Sequence, residues 1–188
     1  SSTTTLFASE DNLLMYSSLN SQLENTVYKD AYIGVGQDYS ILQFGSGFLD
    51  FRSLIKFPLP AVLKGKHIVS AELRLHVRTL PADRNTTYRC GAVGGSWNTA
   101  TVTYNNYPSD KIYVDNRVDF SPPYSSALPV KIDITGIVRQ WAGGNWLNNG
   151  ILIWDTNGIY PEQTALRGTE FYEESNGAKA PSLYIVYE

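Results

Sequence analysis

The alternation of Leu73, Leu75 and Val77 with Arg74, His76 and Arg78 constrains this chain more than any other feature. A period of two puts one row of side chains against an apolar core and the other in water, as in an antiparallel strand. A second long segment, Phe51–Phe57, precedes it through a Pro- and Gly-containing connection from Pro58 to Lys66. There Leu54 and Ile55 stand side by side with aromatics at both ends, so alternation alone does not name the inner face. Two long strands joined in this way predict a β-sandwich or barrel.

The rest of the chain agrees. Strands are predicted over Asn12–Ser17, Ala31–Gly36, Ser40–Phe44, Phe51–Phe57, Ile68–Thr79, Tyr88–Val93, Lys111–Val114, Leu128–Ile134, Gly150–Trp154, Thr164–Gly168 and Ser182–Tyr187. Turn clusters such as Gly45-Ser46-Gly47, Gly94-Gly95 and Asn176-Gly177 punctuate them. Short strands so spaced give an all-β, two-sheet antiparallel sandwich of jelly-roll type. One short helix near 135–142 interrupts it, because Ile134, Ile137 and Trp141 recur at helical spacing. Asp133 or Thr135 caps its start, Gly143 ends it, and Trp141 anchors it in the core.

At 188 residues the chain suits a single domain, read as 8–188 behind a polar leader or extension at 1–7. A net charge of −3 offers no basic field, so nucleic acid is excluded as a partner. No apolar run approaches a membrane span. The single cysteine, Cys90, rules out an internal disulfide framework and reads as a buried structural thiol, with intermolecular pairing as the alternative. Asn85-Thr86-Thr87 is an N-glycosylation sequon beside a turn.

Several motifs, in order, resemble the DNRLRE domain family, which overlaps a carbohydrate-binding module family and the repeats of archaeal disaggregatase-related surface proteins. Asp11 through Tyr16, Asn25–Tyr28 and Tyr32–Gly36 are similar to its opening strands and loop. Phe51–Leu59 is similar to its Arg-Ser-Leu-Leu-Lys-Phe-Asp-Leu element, with Pro58 where the acidic residue stands, and Ile68–Leu75 to its next strand. Trp97 with Thr101–Pro108 resembles its W…T-V-T-W-N-N-x-P segment, Tyr104 replacing Trp. Val130–Trp141, Asn149–Ile153 and Ala180–Tyr187 resemble its helix and last strands. The resemblance implies a secreted, usually non-catalytic β-sandwich, extracellular or on the cell surface.

The chemistry-bearing residues point the same way. Only His67 and His76 are present, and neither has a second metal ligand near it in sequence. No nucleophile elbow, phosphate loop or dinucleotide fingerprint occurs, so no enzyme activity is expected. Glu170, Glu173 and Glu174 form the densest acidic set and read as a solvated loop. Sugar rings present flat C–H faces, which select Trp or Tyr beside Asn. Trp146, flanked by Asn145 and Asn148, has that mixture, with a lid over the core as its other reading. Tyr104 and Tyr107 beside Asn105-Asn106 read either as a packed turn or as a second such site, and Tyr124 is expected to be exposed. A structural Ca²⁺ is the one cofactor expected, with Asp11, Asp30 and Asp155 as its ligands. Two functions remain in play. One is a carbohydrate-binding module recognising an acidic or neutral polysaccharide. The other is a structural subunit of a surface layer, matrix or filament that pairs with copies of itself through its N-terminal segment.

Overall fold

A computed structural model describes residues 1–42, 45–158 and 165–188. Every paired strand is antiparallel, and the described strands form two sheets facing one central core. The smaller sheet has the order β1-β13-β6-β10, built from β1 (Ser2–Phe7), β13 (Ser182–Tyr187), β6 (Ile68–Leu75) and β10 (Val130–Asp133). The larger runs β7 (Val77–Thr79), β12 (Thr169–Phe171), β4 (Ile33–Leu42), β5 (Gly45–Lys56), β11 (Ile151–Asp155), β8 (Tyr88–Ala92) and β9 (Val118–Phe120). Beside β5 also lie β2 (Glu10–Ser17) and, on its far edge, the short β3 (Tyr28–Lys29). The expected sandwich of jelly-roll type is therefore present.

The alternation in β6 does what its period requires. Leu73 and Leu75 are fully buried in the central core while Glu72 and Arg74 face outward and pair at 2.8 Å. Leu54 and Ile55 resist a single inner face for a physical reason: β5 is buried on both sides. Ile55 enters the central core, and Leu54 joins a second, smaller core with Leu14, Val93, Val102, Tyr107 and Leu152. The long segment between β8 and β9 folds over the outside of the sheet to close this second core. β5 is also where the sheet forks. β2 runs along one side of it, while the other side passes from β4 (through Phe51) to β11 (from Ser53). At the fork the Ser53 hydroxyl bonds both the N–H (2.9 Å) and the C=O (2.8 Å) of Gly34, replacing the ladder that ends there.

The helix α1 spans Thr135–Ala142, with Trp141 buried as its anchor. Asp133 Oδ1 accepts the Thr135 N–H at 2.9 Å, and the Thr135 hydroxyl in turn accepts the Ala71 N–H at 2.9 Å, tying the helix start to β6. It ends where expected, with Gly143 as its C-cap. Gly143 keeps right-handed backbone, and Gly144 takes the left-handed turn (φ +76°) that releases the chain.

Other boundaries shift for equally local reasons. Of segment 1–7, expected as a polar leader or extension, Ser2–Phe7 form strand β1, paired residue for residue with β13. Its threonines suit a strand edge as well as they suit a tail. The two predicted strands at Ala31–Gly36 and Ser40–Phe44 are one, β4, bent at Gly36, where a Cβ would meet the Arg167 carbonyl oxygen; residues 43 and 44 lie outside the described residues. Gly45-Ser46-Gly47, read as a turn, opens β5. Thr164 lies outside the described residues, and in place of a strand at 164–168 there is one bridge, Leu166 to Asp38, before β12. Lys111–Val114 likewise reduces to a bridge at Ile112.

Candidate functional site

Where β4, β7 and β12 lie side by side, Ile33, Val77 and Phe171 point into the central core. Period-two geometry then sends their neighbours Tyr32, Gly34, Arg78, Glu170 and Tyr172 to the outer face. Among the described residues, no loop covers them as one covers β5. Two hollows of about 350 and 150 Å³ meet at Tyr32, which lines both. Arg78 and Tyr172 line the larger, Asp38, Phe51 and Glu170 the smaller. Gly34 lies close to Tyr32 and Phe51, and a Cβ there would come within 2.9 Å of Leu13. Together the two hollows, with Tyr32 between them, form a groove with aromatic walls.

Asp38, Thr169, Glu173 and Asn176 are hydrogen-bonded within the fold, but four other polar groups of the groove are unspent. Among the described residues, the Arg78 guanidinium, the Glu170 carboxylate and the hydroxyls of Tyr32 and Tyr172 make no hydrogen bond to protein. Arg78 lies 5.5 Å above the Tyr32 ring, and Lys179 lies 4.9 Å above the Tyr172 ring. Burial first, then the charges of Glu170 and Asp38, push the Tyr32 hydroxyl up to about 12, so it stays a proton donor at any physiological pH. His76 is held below its ordinary value by burial and then by the charge of Lys179.

Carboxylates gather at one end. Oxygens of Asp30, Glu173 and Glu174 lie within 4.8 Å of one another, and Asp11 accepts the Glu174 N–H at 2.8 Å. Glu173, read as part of a solvated loop, is almost wholly buried and accepts from Ser175 and Asn176. Burial, then the neighbouring acids, raises Asp11 to about 7; burial and the hydrogen bond with Asp30 also raise Glu174. The fold thus brings together two of the expected calcium ligands, Asp11 and Asp30, and adds two glutamates from the far end of the sequence. All are hard oxygen donors of the kind Ca²⁺ takes. Asp155 sits elsewhere, accepting from the Thr86 hydroxyl at 2.6 Å and the Asn157 N–H at 3.0 Å.

The aromatic candidates from the sequence are dispersed, and most are committed to the fold. Tyr104 donates to Asp50 at 2.7 Å, and Tyr107, buried in the second core, accepts from Arg52 at 2.7 Å. Trp146 stacks on Tyr113 with ring centres 4.0 Å apart and packs against the central core, which is its lid reading. Asn148 donates to the Phe57 carbonyl at 2.6 Å, and Asn145 donates to Gln140 at 3.1 Å. Tyr124 alone keeps an open ring, 79% exposed, with the Arg84 guanidinium 4.7 Å beneath it. Asn85 is exposed, and the hydroxyl of Thr86 in its sequon is bound to Asp155. Cys90 is fully buried, and burial pushes its thiol up to about 12, which leaves it unreactive.

The two-sheet sandwich thus seals one part of a sheet and leaves the next as an aromatic groove with free donors and acceptors, the concave, partly apolar kind of surface on which ligand sites are built. The chain belongs to carbohydrate-binding module family 96, whose model matches residues 24–187. The matched span holds the whole groove and leaves β1 and β2 outside it. A search of curated proteins gives no match. No described helix is long and apolar enough to cross a membrane.

Proposed function

We propose that this chain is a non-catalytic carbohydrate-binding module, working outside the cell or at its surface, and that the β4–β7–β12 groove holds the polysaccharide. The observation that carries this reading is the set of uncommitted polar groups beside half-exposed rings in one groove. Tyr32 and Tyr172 supply stacking faces for sugar C–H surfaces, Arg78 donates to ring substituents and Glu170 accepts from hydroxyls. Binding such a ligand breaks no existing hydrogen bond, so little reorganisation opposes it. Tyr124 on its Arg84 support is a second contact for a longer chain. Asp30, Glu173 and Glu174 hold a structural Ca²⁺ in this reading, with Asp11 behind them.

The test is retention on a broad polysaccharide array, with Tyr32→Ala and Arg78→Ala alongside the parent chain. The reading expects retention on at least one polysaccharide and its loss in both variants, each remaining folded. Retention that survives both substitutions moves the site off the groove. No retention on any polysaccharide removes the function.

A further inference from the structure

Antiparallel sheets end in edges, and an unprotected edge invites another strand. Four of the five edges described here are blunted. β3 has two residues, β9 has three with Asp119 in the middle, and β7 has three with Arg78 and a register shift against β12. β10 is four residues long and carries Lys131 and Asp133. The fifth is different: β1 runs six residues, Ser2 to Phe7, with no charge, proline or bulge, and pairs on one side only.

Hydrogen-bond parity fixes which groups that edge offers. The Ala8 N–H donates to the Pro181 carbonyl at 2.9 Å, continuing the β1–β13 register by one step. Bonding direction alternates along a strand, so Ser2, Thr4 and Leu6 also turn toward β13. Thr3, Thr5 and Phe7 therefore turn their N–H and C=O groups to the free side. The same three side chains are exposed on the outer face, while Leu6 packs against the central core.

We infer that the β1 edge is a self-association surface, joining a second copy of this chain through an antiparallel β1–β1 ladder about a two-fold axis at Thr5. In that register Thr5 meets the second copy's Thr5, and Thr3 meets its Phe7. Each of the three pairs brings outward-turned groups to outward-turned groups and exchanges two bonds, giving six in all. Face parity holds as well: Thr3 and Phe7 share the outer face, Thr4 and Leu6 the inner one. No like charges meet. The interface is isologous and closes at two copies, making one eight-stranded sheet from two four-stranded ones.

Sedimentation of the 188-residue chain across a concentration series tests this, with Thr5→Pro and Thr5→Cys. The expected result is a shift from the 20.9 kDa monomer to twice that mass as concentration rises. Thr5→Pro deletes only an outward N–H, which an edge strand tolerates, so it keeps the parent's melting temperature. It should weaken dimerisation at least about tenfold. Thr5→Cys should cross-link into a covalent dimer under mild oxidation, since an antiparallel bonded pair sits at about 5.5 Å between Cα atoms, within disulfide reach. A chain that stays monomeric at every concentration and gives no Thr5→Cys cross-link overturns the inference. So does open-ended growth beyond the dimer, or a dimer that Thr5→Pro leaves intact. Should Thr5→Pro not fold, the cross-link still decides.

Discussion

The larger sheet carries the same kinds of residue on two stretches of its outer face and uses them oppositely. Over β5, Asp50, Arg52, Tyr104 and Tyr107 are bound to one another: Asp50 accepts from Arg52 at 2.8 Å and from Tyr104 at 2.7 Å, and Arg52 reaches Tyr107. Over β4, β7 and β12, Tyr32, Arg78, Glu170 and Tyr172 are close neighbours with no hydrogen bonds among them. The first set is closed under the 94–117 segment and holds a second core shut. The second is open. Composition does not separate the two stretches; whether their bonds are already spent does.

The largest effect should come from breaking the closed set. Asp50 is 1% exposed, so Asp50→Ala strands the mostly buried Arg52 without its carboxylate. Removing one partner of a buried ion pair costs about 3–5 kcal/mol, which denaturant titration will read directly. Tyr104→Phe, which takes one hydrogen bond from the same carboxylate, should cost about 1 kcal/mol. Neither change should alter binding if the open groove is the site.

Next in size is the pH response of the acidic end of the groove. Asp11 has its folded value raised to about 7 from 3.8, so between those two values the folded chain holds a proton that the unfolded chain has released. Stability is then greatest below about pH 4 as far as this group is concerned, falls as pH rises to about 7, and is level beyond. The fall is on the order of 4 kcal/mol for a shift of that size. Asp38, Asp155 and Glu174 are raised too and act in the same direction, while Asp119 and Asp133 are lowered at exposed positions and oppose it weakly. Melting temperatures at pH 5 and pH 8 will show the slope, and Asp11→Asn should flatten most of it. Millimolar Ca²⁺ should restore stability at pH 8 far more than at pH 5, because only ionised carboxylates hold it. No calcium response at pH 8 would leave this end of the groove as four crowded acids.

How much of this was legible in sequence follows the same division. Alternation from Leu73 to Val77 and the helical spacing of Ile137 and Trp141 report one-sided burial. The helix formed where its pattern lay, while the single strand expected over Ile68–Thr79 divides at His76 into β6 and β7, which lie in different sheets. Leu54-Ile55 and Ile151-Leu152-Ile153 break alternation because both faces of their strands are covered, by a segment whose docking no local pattern encodes. Segment 1–7 reads as a tail because its pairing partner lies about 180 residues away. The site was less legible still. Arg78 was visible on the outward row, and Glu170, Glu173 and Glu174 as an acidic set. Their meeting with Tyr32 and Asp11 depends on β12 inserting between β4 and β7, a non-local pairing. Trp146, Tyr104 and Tyr107 looked available because nothing in sequence shows that Tyr113, Asp50 and Arg52 occupy them.

The open set should respond in binding and scarcely in stability. Arg78→Ala removes an exposed side chain that makes no hydrogen bond to protein, so the fold should keep its stability within about 0.5 kcal/mol. Affinity for a retained polysaccharide should fall about tenfold or more, the size of one good contact. A stability loss comparable to that of Asp50→Ala would erase the contrast between the two regions.

Tyr124 gives the smallest and most discriminating effect, because it lies between the two categories. Its ring is open, yet Arg84 beneath it is also committed, donating twice to the Pro122 carbonyl at 2.9 and 2.6 Å. A cation–ring contact at an exposed position contributes about 0.5–1 kcal/mol. Tyr124→Ala should therefore cost no more than that in stability. Arg84→Ala should cost more, since the loop carbonyl loses both donors. If the ring is a platform for sugar, Tyr124→Leu will weaken retention of long polysaccharide chains while leaving short oligosaccharides, which fill only the groove, unchanged. Equal retention of both lengths would return Tyr124 to the closed category, as the apolar cover of an arginine that fastens its own loop.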